Sequence, residues 1–276
     1  MFFKYPSNKK DIPLRRLVPN FITTTALCCG LAAIHAALRL EFKDALLFIA
    51  ASMVFDALDG RAARFLRATS SFGNVLDSLS DFLSFGIAPA IILYQWMLKD
   101  EEWAGLLACM MFALCSALRL ARFTANTTGP TISTPQTPAR IALNTNFFVG
   151  IPTPAAASAA LIPVLLATSR FGTTTDVVTN KWVVIAFTIF IALFMVSRQP
   201  MFSFKKLKLS RASVVPLMVA VGLVIVGIRY DILLTLAILS GLYLLTFPLA
   251  LFRHHALSRQ ARLESPDPSL SKAVVA

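Results

Sequence analysis

Charged residues are scarce in this chain. Asp, Glu, Lys and Arg together make up 14% of its 276 residues, whereas soluble domains carry about 25%. Hydrophobic residues make up 57%, and the mean hydropathy is +0.70. This composition excludes a soluble globular domain and predicts an integral membrane protein.

Cysteine is also rare, and it lacks the arrangement of a metal site. No cysteine has metal-ligand spacing to a histidine, so we expect the cysteines to behave as small buried hydrophobic residues. The N-terminus lacks the basic start, short apolar core and small-residue cleavage site of a signal peptide. We therefore expect the first apolar segment to be retained as a helix. The cysteines are Cys28, Cys29, Cys109 and Cys115.

Long apolar segments dominate the chain. A transmembrane helix needs about 20 residues, and eight segments approach or reach that length. They are 18–38, 45–66, 72–98, 103–123, 143–169, 182–197, 213–228 and 232–252. The sequence thus predicts an all-α, polytopic membrane helix bundle with about eight transmembrane helices. Only Arg229, Tyr230 and Asp231 separate the last two segments, which predicts a tight hairpin.

The net charge of +12 needs an explanation other than nucleic-acid binding. If the N-terminus lies in the cytoplasm and eight helices alternate, most of the 26 basic residues fall in cytoplasmic loops and at a cytoplasmic C-terminus. The opposite side then carries more acidic than basic residues. This is the positive-inside rule, so we expect anionic membrane lipids rather than nucleic acid as partners of the basic loops.

Four aspartates account for every acidic residue in the predicted spans, and we call them the aspartate motif: Asp56, Asp59, Asp77 and Asp81. An Asp near the centre of a transmembrane helix costs roughly 2.5–3.5 kcal/mol, so four call for a compensating partner. Their i, i+3 and i, i+4 spacings place each pair on one helical face, and a short turn lets the two faces meet. The pattern predicts a carboxylate pocket for one or two hard cations, Mg²⁺ or Mn²⁺.

Three residues near these aspartates suit a diphosphate ligand. Gly60 and Gly73 lack side chains where a ligand or another backbone must approach closely. Arg64 supplies a fixed positive charge that suits a phosphate group. Together with carboxylates and a divalent metal, these residues indicate a diphosphate site.

The spacing resembles the signature of the CDP-alcohol phosphotransferase family: Asp, two residues, Asp-Gly, two residues, Ala-Arg, eight residues, Gly, three residues, Asp, three residues, Asp. The resemblance implies a six-helix core, two bound metal ions, a homodimer and a reaction in which an acceptor hydroxyl attacks a CDP-linked phosphate and CMP leaves. It implies that Asp81 is both a metal ligand and the general base. The implied metal ligands are Asp56, Asp59, Asp77 and Asp81, and the implied CDP-binding residues are Asn20, Asp56, Gly60, Ala63, Arg64 and Gly73.

Two further segments, 117–123 and 148–157, resemble the branch of this family that uses serine, although Thr124 stands where Asn is common in that branch. The resemblance implies transfer of the phosphatidyl group of CDP-diacylglycerol to L-serine, giving phosphatidylserine and CMP. Arg119 and Arg122, one turn apart, would hold the serine carboxylate bidentately, or they would simply anchor a cytoplasmic helix end. Arg140 is a third candidate.

Two alternatives stay open at this stage. The same chemistry would serve another acceptor, such as glycerol-3-phosphate, an inositol compound or choline. An ion transporter also uses intramembrane carboxylates, but here none is left in the later spans to form a path.

Composition and the resemblance together divide the chain. We expect a cytoplasmic juxtamembrane segment at 1–17, a family membrane core at 18–200, an additional C-terminal helix pair at 201–257 and a flexible cytoplasmic tail at 258–276. The implied location is the bacterial inner membrane, with the active site facing the cytoplasm.

Overall fold

The fold is α-helical. The computed structural model of the chain describes residues 17–68, 70–128, 147–149, 151–170, 172, 180–197, 200–202 and 211–246. Within these ranges we number ten α-helices in chain order. They are α1 (Leu17–Leu38), α2 (Phe42–Phe65), α3 (Ser71–Asp81), α4 (Ala88–Trp96), α5 (Glu102–Thr128), α6 (Thr153–Ala160), α7 (Ile162–Thr168), α8 (Lys181–Val196), α9 (Arg211–Tyr230) and α10 (Ile232–Thr246).

Short elements complete the described chain. A π-helical segment, Phe82–Ile87, joins α3 to α4, and a 3₁₀ turn, Leu98–Asp100, precedes α5. Two three-residue strands, β1 (Phe147–Val149) and β2 (Pro200–Phe202), pair in antiparallel fashion.

Three helical stretches are long and apolar enough to cross a membrane: Leu17–Leu38, Ser71–Trp96 and Trp103–Ala125. They coincide with predicted spans at 18–38, 72–98 and 103–123. Helices α8, α10 and most of α9 are apolar but shorter. The predicted class, a helical membrane protein, is therefore confirmed, while the count of eight spans stays a prediction.

The fifth predicted span, 143–169, differs from the prediction. Its described part contains β1 followed by two short helices, α6 and α7, which meet at Leu161. Both helices carry proline in their first two positions. Proline is well placed at a helix start but disrupts a helix that continues from the preceding turn. A hydropathy average does not detect such a break, so it reads the two short helices as one span.

Small residues set the distances between the central helices. Helix α1 packs along α2 and also contacts α3, the π-helical segment and α4. A side chain at Gly30 of α1 would collide with the Ser84 hydroxyl, and a Cβ at Gly86 would lie 2.7 Å from Ser116 Oγ of α5. The π-helical segment is thus held between α1 and α5, directly after Asp81.

The turn between α2 and α3 is built by local hydrogen bonds. Arg67 adopts a left-handed conformation (φ 48°), and the Ala68 N–H donates to the Ala63 carbonyl at 2.9 Å. This is the hydrogen bond of a Schellman helix end. The Ser70 hydroxyl then accepts from the Gly73 N–H at 3.0 Å and caps α3. These contacts reverse the chain and bring the end of α2 beside the start of α3.

Asp231 fixes the hairpin between α9 and α10. Its Oδ1 accepts from the N–H groups of Leu233 at 3.0 Å and Leu234 at 3.2 Å, and its Oδ2 accepts from the Arg170 N–H at 2.7 Å. Gly227 of α9 approaches Thr235 of α10, since an added Cβ would lie 2.7 Å from its hydroxyl oxygen. The tight turn expected at this point of the sequence is confirmed.

We expect Asp231→Ala to lower the free energy of unfolding in detergent by about 1–2 kcal/mol at pH 7, because a helix cap is lost. Burial alone would raise the pKa of Asp231, but hydrogen bonds from the Arg170, Leu234 and Leu233 N–H groups hold it below its usual value. Because the pKa of Asp231 is lower in the folded than in the unfolded protein, its ionised carboxylate stabilises the fold at pH values above its unfolded-state pKa of about 3.9. This contribution is lost as the pH falls through the folded-state pKa. The difference between variant and wild type should therefore shrink in acid.

Asp100→Ala is the matched control for this prediction. Asp100 forms a 3.0 Å ion pair with Lys181, but its side chain is 72% exposed. Exposed ion pairs contribute about 0–1 kcal/mol, so this variant should unfold close to wild type. Equal stability of wild type and Asp231→Ala at neutral pH would contradict the structural role of Asp231.

Candidate active site

The structure brings three residues of the aspartate motif together at the α2–α3 turn. Asp56 and Asp59 lie on α2, and Asp77 lies on α3. One carboxylate oxygen from each lies within 4.8 Å of the others. This is the meeting of two helical faces that the i, i+3 spacing predicted.

Asp81, the fourth aspartate of the motif, is not one of these three clustered carboxylates but interacts with them. Its carboxyl group interacts electrostatically with those of Asp56, Asp77 and Asp59. It lies at the last position of α3, where the π-helical segment begins. Such π-helical insertions occur frequently at functional sites.

The aspartate cluster contains a buried carboxylate oxygen that a bound cation would satisfy. Asp59 is buried, with 4% of its surface exposed, and its Oδ2 has no hydrogen-bond partner among the described residues. A buried acceptor without a partner carries a desolvation cost of about 1–3 kcal/mol or more. Carboxylate oxygens are the ligands that Mg²⁺ and Mn²⁺ prefer, so a divalent cation would satisfy this atom.

An open pocket lies beside the cluster. It contains four of the residues predicted to bind CDP, and Arg64 is exposed on α2 outside the pocket lining. An added Cβ at Gly60 would have no described atom within 4 Å, so this glycine faces the open space of the pocket. The four predicted residues in the lining are Asn20, Gly60, Ala63 and Gly73.

Gly73 allows two polar side chains to approach the backbone in the pocket wall. An added Cβ there would lie 3.1 Å from both Asn20 Oδ1 and Ser70 Oγ. The absence of a side chain lets the Asn20 amide and the helix-capping hydroxyl approach the same backbone. The pocket wall is therefore formed by α1, the α2–α3 turn and the first turns of α3.

Sequence reasoning missed several lining residues, among them Thr23 and Asn74. Helical spacing could have identified both. Thr23 lies three residues after Asn20, and Asn74 lies three residues before Asp77, so each shares a helical face with a predicted site residue. Ala68 and Ser70 belong to the turn, which periodicity does not describe.

The structure separates the two arginines expected to clamp an acceptor. Arg119 Nη1 donates a hydrogen bond to Thr153 Oγ1 of α6, and its guanidinium interacts electrostatically with Asp81. Arg122 is exposed, and its Nη1 donates to the Val196 carbonyl at the end of α8 at 3.2 Å. Arg140 lies outside the described residues. Of the three candidates, Arg119 is the one with an electrostatic interaction with a residue of the aspartate motif among the described residues.

Sequence comparisons agree with this geometry. The profile of the CDP-alcohol phosphatidyltransferase family matches residues 16–190. A CDP-diacylglycerol–serine O-phosphatidyltransferase of Mycobacterium leprae is 35% identical over 196 residues, covering 71% of this chain and 61% of the relative. The protein of the same name in Helicobacter pylori is 32% identical over 229 residues, covering 83% of this chain and 88% of the relative.

A third relative gives a similar match. The CDP-diacylglycerol–serine O-phosphatidyltransferase of Methanocaldococcus jannaschii is 36% identical over 140 residues, covering 51% of this chain and 56% of the relative. The chain thus spans about three fifths of the mycobacterial relative and most of the Helicobacter one. The family match covers more than half of the chain and includes every residue of the aspartate motif, and so the chain belongs to the CDP-alcohol phosphatidyltransferase family.

Proposed function

We propose that this protein transfers the phosphatidyl group of CDP-diacylglycerol to the hydroxyl of L-serine, producing phosphatidylserine and CMP. The observation that carries the proposal is the aspartate cluster, with three carboxylates within 4.8 Å beside an open pocket, in a chain that belongs to this family. The serine acceptor is supported by relatives that bear the name CDP-diacylglycerol–serine O-phosphatidyltransferase.

Members of this family depend on divalent metals in general. We propose Mg²⁺ or Mn²⁺, two ions, held by the aspartate motif. The buried and unpartnered Asp59 Oδ2 supports this assignment. When bound, the metal would neutralise the charge of the diphosphate and of the leaving phosphate.

The CDP moiety would bind over this open pocket. Gly60 and Ala63 of α2 would form the floor of the pocket. The side-chain amide of Asn20, on α1, would hydrogen-bond to the ligand. Arg64 lies close by on the same helix, and its exposed guanidinium would reach phosphate oxygens as the ligand enters. The pocket's position beside Asp59 and Asp77 would place the diphosphate against the carboxylate cluster.

The acceptor would approach from the Asp81 side. Asp81 would take the proton from the seryl hydroxyl, and the seryl oxygen would attack the phosphorus that carries diacylglycerol. The bond from that phosphorus to the oxygen shared with CMP would break, and CMP would leave with the electron pair. Arg119 would bind the serine carboxylate, because its buried Nε has no hydrogen-bond partner among the described residues and its guanidinium interacts electrostatically with Asp81.

The remaining features are proposed together. The chain would cross the bacterial inner membrane eight times with both termini and the active site on the cytoplasmic side, as a homodimer. Residues 1–17 would form a juxtamembrane segment, 18–200 the family core, 201–257 an additional helix pair and 258–276 a tail. The distribution of basic residues supports the orientation.

We expect Asp81→Asn to lower turnover by at least the ~10²–10⁴-fold that general acid–base catalysis supplies, because an amide cannot accept the seryl proton. CDP-diacylglycerol should still bind, since the pocket lining is unchanged. CMP release and equilibrium binding of CDP-diacylglycerol measure the two effects. Asp44→Asn, an exposed aspartate in the first turn of α2, is the control and should leave both unchanged. Near-normal turnover of Asp81→Asn would place the base elsewhere.

The acceptor is tested with purified protein, CDP-diacylglycerol and a panel of labelled alcohols, scored for CMP release and for the lipid product. We expect serine to be used, whereas serinol and ethanolamine, which lack the carboxylate, should be poor acceptors. Arg119→Ala should raise the apparent KM for serine by about 30-fold or more, because it leaves a carboxylate unpaired, and should change the KM for CDP-diacylglycerol little.

Arg122→Ala is the comparison for Arg119→Ala. Its guanidinium is exposed and bonded to a helix end, so its effect on the KM for serine should be smaller. If glycerol-3-phosphate, an inositol compound or choline released CMP and serine did not, the proposed acceptor would be wrong and the family reaction would stand.

A further inference from the structure

The Arg119 guanidinium is held at one nitrogen and unsatisfied at another. Its Nη1 donates to the Oγ1 atom of Thr153, on α6, whereas its Nε is buried and has no hydrogen-bond partner among the described residues. Leaving a buried charged donor unpaired is unfavourable. An anion that binds at the Nε side would remove this cost.

The nitrogen that Thr153 contacts decides which edge of the guanidinium remains for a ligand. A guanidinium is planar, and its N–H groups have a fixed fork geometry. The Nε–H and one Nη2–H point the same way and form an edge that binds a carboxylate through two parallel hydrogen bonds. Nη1 lies outside this edge. The contact with Thr153 thus restrains the guanidinium without using its carboxylate-binding edge.

The position of Thr153 at the start of a helix frees its hydroxyl for this contact. Buried threonines inside other helices donate to the carbonyl four residues earlier, as Thr23, Thr188 and Thr235 do. Thr153 is the first residue of α6, and the residue four positions before it lies in β1. No carbonyl of its own helix is therefore in that position, and the hydroxyl contacts a neighbouring helix, α5, instead.

Thr153 is itself well fixed in the bundle. It is 1% exposed, and α6 packs against α8 and against the π-helical segment that begins directly after Asp81. Helix α5, which carries Arg119, packs against the same segment. An unrestrained arginine loses rotamer freedom when it binds a ligand, so a partner that fixes it beforehand lowers the cost of binding.

We propose that Thr153 is a positioning residue of the acceptor site. It holds Arg119 through Nη1, so that the edge formed by Nε and Nη2 binds the carboxylate of the amino-acid acceptor. Thr153 then contributes to the preference for an acceptor with a carboxylate without contacting the acceptor itself. This inference rests on the proposed function, because it requires such an acceptor.

The first test is Thr153→Val in the full-length protein, which removes the hydroxyl and keeps a side chain of nearly the same shape. The apparent KM for serine should rise about tenfold or more, because a hydrogen bond to a charged group is lost. Turnover at saturating serine and the KM for CDP-diacylglycerol should stay within about twofold. The weak use of serinol should be unchanged, because serinol has no carboxylate. Thr153→Ser, which keeps the hydroxyl, should restore the wild-type KM for serine.

A double variant distinguishes positioning from packing. If Thr153 acts through Arg119, then Arg119→Ala removes the group that Thr153 positions. The combination of Arg119→Ala and Thr153→Val should therefore have the same KM for serine as Arg119→Ala alone, rather than the product of the two separate increases.

Thr188→Val is the matched control for Thr153→Val. Thr188 is also buried, but its hydroxyl donates to the Val184 carbonyl of its own helix, α8, at 2.8 Å. The same substitution there should keep the wild-type constants for both substrates.

The outcomes separate this inference from the proposed function. If the wild type uses serine and Thr153→Val keeps its KM for serine, or raises both KM values together, Thr153 is only a packing residue. The inference is then wrong and the proposed function stands. A full Thr153→Val effect in the Arg119→Ala background, or no restoration by Thr153→Ser, would overturn it in the same way. If the wild type releases CMP with other acceptors but not with serine, both the inference and the proposed acceptor are wrong.

Discussion

Electrostatic repulsion among the carboxylates of the aspartate motif is the constraint around which this bundle is organised. Two unit charges about 5 Å apart repel by roughly 3 kcal/mol at an effective dielectric constant of 20, and three carboxylate oxygens lie within 4.8 Å of one another. Such an arrangement is unfavourable unless a cation or shared protons offset it. The surrounding helices must therefore hold the side chains in place at the cost of stability.

Local structure provides that hold. The Schellman end of α2, with Arg67 in a left-handed conformation, and the Ser70 cap of α3 fix the turn between the two pairs of aspartates. On the far side, Gly30 and Gly86 allow the π-helical segment after Asp81 to lie tightly between α1 and α5. Within the part of the chain that the structure describes, main-chain hydrogen bonds and close helix contacts thus position the carboxylates.

The sequence allowed the membrane class, the meeting of α2 and α3 and several lining residues of the pocket beside the aspartates to be predicted, because these depend on hydropathy and on spacing within helices. It did not reveal the break at Leu161 or the π-helical segment, because hydropathy windows do not detect how prolines and close contacts interrupt a helix. The different surroundings of Arg119 and Arg122 also escaped prediction. Residues one turn apart share a face only approximately, and tertiary packing left Arg119 partly buried and Arg122 exposed. Thr153, which accepts a hydrogen bond from Arg119, is distant from it in sequence, and no local pattern connects the two residues.

The most direct test of the central claim is the binding of Mn²⁺ to the purified protein, followed by the electron paramagnetic resonance signal of free Mn²⁺. The wild type should bind Mn²⁺, and Asp59→Asn should bind it at least about tenfold more weakly, because a charged ligand is lost. Asp44→Asn, outside the cluster, should bind it as the wild type does. Equal Mn²⁺ affinity of wild type and Asp59→Asn would contradict the assignment of the aspartate motif as a metal site.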